Sequence, residues 1–148
     1  MQPANQNDME TKVDARLRII RIIWFAIFVS VGLYYLLTLL TGQPQVNPNG
    51  ILSIALVAIG MVFVSISLAL KQKYLRQSVD KQSAGVVQNG YVLAFALCEV
   101  PALLAMVDFF VTGNRYYYVL IVISAGGQLL NFPRRKHVLD ASFKGLSI

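Results

Sequence analysis

Residues 22–40 and 51–70 contain no charged side chain, nineteen and twenty consecutive positions respectively. At a rise of ~1.5 Å per residue each run makes a helix of about 28–30 Å, the thickness of the hydrocarbon core of a bilayer. Residues 91–111 are equally apolar apart from Glu99 and Asp108, and residues 116–132 again carry no charge. A chain of 148 residues that is 56% hydrophobic and 14% charged has too little interior to hide these runs from water. Lipid is then the solvent for most of it. The expected fold is an all-α integral membrane protein, an up-down bundle of four transmembrane helices at 22–40, 51–70, 88–111 and 116–132.

The segments between the runs behave as connectors. Residues 41–50, TGQPQVNPNG, hold two prolines and two glycines and break one helix from the next. Thr112, Gly113 and Asn114 predict a tight turn. Residues 1–18 form a polar N-terminal segment, expected to fray over 1–13 and to enter a helix within 14–21. They lack the basic start and short apolar core of a signal peptide, so the first run is expected to be retained. The transmembrane domain occupies 19–132, and 133–148 is a basic tail.

Orientation follows from the basic residues. Lys12, Arg16, Arg18 and Arg21 precede span 1, while Lys71, Lys73, Arg76 and Lys81 lie between spans 2 and 3. Arg134, Arg135, Lys136 and Lys144 follow span 4, and only Arg115 falls on the other side. Twelve of thirteen on one side predict that both termini are cytoplasmic. The net charge of +6 is thus a topology signal at membrane borders; without a basic patch interleaved with aromatics, no nucleic-acid partner is expected. The one cysteine, Cys98, cannot form an internal disulfide.

Glu99 is the residue that needs a reason. A carboxylate at the centre of a membrane helix costs roughly 3 kcal/mol on insertion scales. Counted at ~1.5 Å per residue from Asn89, Glu99 lies about 15 Å deep. The same count puts Ser30 and Ser124 at about 13 Å, Ser65 at about 9 Å and Gly60 at about 16 Å. A polar layer of Glu99 with Ser30, Ser65 and Ser124 is therefore the candidate ion-binding set, with Gly60 admitting a close neighbour. Hydrocarbon favours a neutral carboxyl, which carries a proton and releases it when water or a cation arrives. Pro101 cannot donate to the carbonyl of Leu97 and predicts a helix kink beside the acid. Asp108 points away from Glu99 and is expected at the outer interface, within reach of Arg115 or water. His137 is a single histidine in a basic tail and carries no signal.

The string ALCEVPALLAMV at 96–107 resembles the carboxylate-bearing helix of the c subunit, the proteolipid of rotary ATP synthases. Arg76–Gln77 resembles the Arg-Gln of that family's polar loop, on the same side of the membrane. The resemblance implies a ring-forming helical hairpin made by spans 2 and 3, with Glu99 as the proton-carrying acid. It is confined to those spans; spans 1 and 4 have no counterpart, and of the family's glycine-rich inner helix only Gly60 is present.

No HExxH, no cysteine pair, no nucleophile–base set and no glycine-rich phosphate loop occurs, so neither an enzyme nor a cofactor or metal is expected. The expected function is proton binding at a mid-membrane glutamate, for proton or ion translocation. The protein would serve as a homo-oligomer or as a subunit of a larger membrane complex. The bacterial cytoplasmic membrane is the expected location. The competing reading is a structural or accessory membrane protein in which Glu99 only hydrogen-bonds a neighbouring helix.

Overall fold

A computed structural model describes residues 6–42, 50–81 and 84–142. The described residues contain no strand; the helices are α1 (Gln6–Thr41), α2 (Gly50–Lys81), α3 (Ala84–Thr112), α4 (Tyr118–Leu130) and α5 (Arg135–Ser142). Three of them include stretches long and apolar enough to cross a membrane, Val13–Thr41, Gly50–Ser78 and Gly85–Thr112. Each reaches about 42 Å, more than the ~30 Å of hydrocarbon. The stretches of α1 and α2 include charged turns, at 14–21 and 71–76, in addition to their uncharged runs.

The fourth run differs from a single helix over 116–132. It opens with a 3-10 turn, Arg115–Tyr117, and continues as the 13 residues of α4, about 20 Å. The local cause is Asn114, whose side-chain oxygen accepts from the amide of Tyr116 at 3.1 Å and tightens the chain there. Gly113 precedes it at φ 59°, the left-handed conformation that ends α3 in the expected turn. Two further departures lie at the ends. Helix α1 begins at Gln6, where fraying and a later start were expected, and part of the tail folds as α5. The reason is shared: Val13, Leu17 and Ile20 of α1 are buried with Val138 of α5 and Val87 and Tyr91 of α3. Most of the 41–50 connector, residues 43–49, lies outside the described residues, as does Lys144 of the tail.

Successive helices reverse direction, but consecutive ones are not always neighbours. Helix α3 packs on α2, α4 and α1, and α4 touches both α1 and α2, whereas α1 and α2 share no extensive seam. The order around the bundle is therefore α1–α3–α2–α4, with α3 and α4 across the short diagonal.

The α2–α3 seam is the most extensive, and small residues explain it. Along α2, Ser53, Gly60 and Ser67 recur every seven positions and are all buried, while Ala55, Ala58, Ser65 and Ala69 on its other faces are exposed. Along α3 the buried series 87, 91, 94, 98, 101, 105, 108 and 112 steps by four and three. A seven-residue period on both helices keeps one stripe facing the partner over several turns. The pairs run antiparallel: Ser53 meets Asp108, Gly60 meets Pro101, Ser67 meets Cys98 and Gly90 meets Tyr74. With a small residue on at least one side at each of these levels the helices approach closely, which is how helices associate where burial from water gives no drive.

Candidate functional site

Glu99 sits one position off the α2-facing stripe of α3, and that rotation turns it toward α1. There Ser30 donates its hydroxyl to Glu99 Oε1 at 2.6 Å, and Tyr34 donates to the same oxygen at 3.0 Å. Ser30 and Tyr34 are one helical turn apart on α1, so both reach a single acceptor. The carboxyl is half-buried. Among the described residues no Lys or Arg pairs with it, and Oε2 has no hydrogen-bond partner. The arrangement holds an acid by hydroxyl donors on one side only. Oε1 accepts both hydrogen bonds, and among the described residues Oε2 accepts none.

Of the expected polar layer, Ser30 alone is brought to the carboxyl. Ser65 is exposed on α2 and donates to the carbonyl of Met61 in its own helix at 2.9 Å. Ser124 is buried, but it donates to the backbone carbonyl of Cys98 at 2.6 Å rather than to Glu99. Depth counting gives the level of a residue and leaves its rotation open. Ser67, two positions from Ser65, is the serine on the inner face of α2. Tyr34 was missed in the sequence; its hydroxyl tip one turn beyond Ser30 in an uncharged span is the signal that could have found it.

Pro101 lies within α3, which continues through it to Thr112, and its ring is buried where Gly60 leaves room. Backbone acceptors just before the proline are served from α4. Besides Ser124, Gln128 donates its side-chain amide to the carbonyl of Phe95 at 2.9 Å. Trp24 of α1 in turn donates its indole N–H to the carbonyl of Gln128 at 2.9 Å. Polar side chains of neighbouring helices thus tie down the segment that carries the acid.

Asp108 corrects the expectation of an interfacial charge. It is 1% exposed, and Ser53 donates to its Oδ1 at 2.6 Å. Thr112 lies 2.7 Å from the same oxygen and from the Asp108 carbonyl. Asn114 donates to Ser53 at 2.9 Å, closing a chain from the turn into the seam. Pointing away from Glu99 meant pointing into α2, since α3 is covered on that face. Oδ2 is buried with no partner among the described residues.

His137 also has a place: its Nδ1 lies 2.5 Å from the hydroxyl of Tyr91, and the two rings stack at 6.1 Å. Lys71 stands over the same tyrosine ring, 5.2 Å from its centroid, and donates to the carbonyl of Leu130 at 3.2 Å. These contacts fasten α5, Lys71 of α2 and the end of α4 to the first half of α3. The chain matches no protein-family model, no curated protein and no solved structure.

Proposed function

We propose that this integral membrane protein crosses the bilayer four times with both termini cytoplasmic and binds a proton at Glu99. In this reading it serves proton or ion translocation as a homo-oligomer or as a subunit of a membrane complex in a bacterial cytoplasmic membrane. The observation that carries the proposal is the one-sided cradle of Glu99: two hydroxyls on Oε1 and, among the described residues, no countercharge and no partner for Oε2. An ionisable residue within a membrane helix is a functional candidate by default, and among the described residues no basic group is paired with this one. The likeness of 96–107 to the proton-carrying helix of the ATP synthase proteolipid points to the same residue. The placing of twelve of the thirteen basic residues on one side, with Arg115 alone on the other, favours the four-crossing topology, in which α4 and its preceding turn make the last crossing.

A structural role for Glu99 has an observation of its own, since the same two hydrogen bonds join α1 to α3. The two readings separate experimentally. An apolar carbodiimide reacts with the protonated acid, so proton binding predicts labelling of Glu99 in detergent-solubilised protein that falls as pH rises. It also predicts that Glu99→Gln assembles normally but gives no pH-dependent proton flux in vesicles. If flux is unchanged in Glu99→Gln while Glu99→Leu detaches α1, the residue is a helix fastener and the proton proposal fails. Native mass measurement in mild detergent tests the oligomer.

A further inference from the structure

At the basic end of the bundle, α1 and α5 border an open cleft of about 590 Å³, within the ~300–1,000 Å³ range of ligand sites. Its lining is divided by chemistry. Arg18, Arg21 and Arg135 supply three guanidinium groups against one carboxylate, Asp14. Ile22 and Phe25 form an apolar wall, and both are exposed, at 59% and 62%. Asp14 is engaged with Arg135 at 3.3 Å. Arg18 and Arg21 have no ion pair among the described residues.

The order of these groups along α1 is what selects an occupant. Positions 14, 18, 21 and 25 follow one face of the helix at steps of four, three and four. Arg21 is the last charge before the uncharged run, and Phe25 lies about 6 Å deeper into it. Cationic forks at the border of the hydrocarbon and an apolar wall just beneath have the layout of a phospholipid. We propose that this cleft binds an anionic glycerophospholipid. Its phosphate is held by Arg18 and Arg21, with Arg135 completing the cationic rim from α5, and one acyl chain lies along Ile22 and Phe25. Guanidinium suits the task because its planar N–H fork matches two phosphate oxygens at once. A second basic groove has a different lining. It is about 310 Å³, lined by Lys73 and Arg76 with Gln72 and Gln77, and Ala69 is its only apolar side chain. It offers charge without a place for a chain. The inference rests on the membrane setting of α1 and is independent of any role for Glu99.

The test uses the full-length protein in mild detergent, with native mass spectrometry reading bound phosphatidylglycerol, phosphatidylcholine and inorganic phosphate. Wild type is expected to retain phosphatidylglycerol in preference to phosphatidylcholine. The Arg18→Gln/Arg21→Gln double variant should bind phosphatidylglycerol about 30-fold more weakly, the loss expected for two basic residues at a lipid surface. The Lys73→Gln/Arg76→Gln variant, with the same change in net charge, should bind as wild type does. Phe25→Ala should weaken binding of long-chain but not of short-chain phosphatidylglycerol, an arm that stands if the double variant fails to fold. Equal losses in the two double variants would reduce the effect to bulk charge and overturn the proposal. So would equal retention of the two lipids, an unaffected Phe25→Ala, or inorganic phosphate displacing the lipid at equal concentration, which would mark a site for free phosphate.

Discussion

Replacing Gly90 with alanine adds one methyl group at a place where α3 lies close against α2. An ideal Cβ there lies 2.6 Å from Tyr74 Cβ and 3.2 Å from its Cγ, with Tyr74 Cα at 3.9 Å. The near atoms belong to the root of the side chain, so rotation of the ring gives no relief. Restoring a contact of ~3.5–4.0 Å requires the helices to part by about 1 Å at that level. Overpacking of this kind costs about 1–3 kcal/mol, offset by the 0.5–1 kcal/mol that alanine gains over glycine in a helix. Gly60→Ala should be milder: its closest neighbour at 2.8 Å is Leu120 Cδ2, the mobile end of a side chain, with Pro101 Cβ at 3.3 Å. Gly126 is helical too, but nothing lies within 4 Å of its added Cβ, so Gly126→Ala should be neutral or stabilising. The expected order of stability is Gly126→Ala, then Gly60→Ala, then Gly90→Ala. Thermal unfolding in detergent micelles measures it, with Trp24 fluorescence and helical circular dichroism as probes. At about 2–4 °C per kcal/mol, Gly90→Ala should melt several degrees below Gly126→Ala. Equal melting temperatures for those two variants would refute the close approach of α2 and α3.

Two further outcomes follow from the buried polar contacts. Ser53→Ala and Asp108→Ala should be non-additive, with a coupling of about 0.6–1.7 kcal/mol for a hydrogen bond between membrane helices; a double-mutant cycle giving no coupling would contradict the geometry at Asp108. His137→Ala should release α5, raising amide hydrogen exchange across 135–142 while leaving 94–108 unchanged, and Tyr91→Phe should reproduce the effect through the other partner.

Long uncharged runs announce themselves in sequence because the cost of a charge in hydrocarbon acts at every position. The helices at 22–40 and 51–70 were legible for that reason, the one at 91–111 because only Glu99 and Asp108 interrupt its apolar run, and the turn at Gly113 from its own residue types. What distance along the chain leaves open is rotation. Ser30 and Ser65 look alike when only depth is counted, yet one bonds Glu99 and the other its own helix. Asp108 was misplaced because the covered face of α3 depends on α2 packing there, a fact about two helices that neither carries alone. The seven-residue recurrence of Ser53, Gly60 and Ser67 was present but diluted by exposed small residues between them. Tyr34 and His137 act through hydroxyl and ring contacts across 65 and 46 positions of chain, beyond any local pattern.

The order α1–α3–α2–α4 bears on how the molecule is made. When the first helix leaves the ribosome, the next to arrive is one it does not pack against, so it must wait in the bilayer until its true companion has been synthesised. The α2–α3 hairpin can close on its own as soon as it is complete, and only then does the hydroxyl pair of the waiting helix meet its acid. Assembly of that pair with Glu99 is therefore a late event, and a chain stalled before α3 would contain both donors and nothing for them to hold.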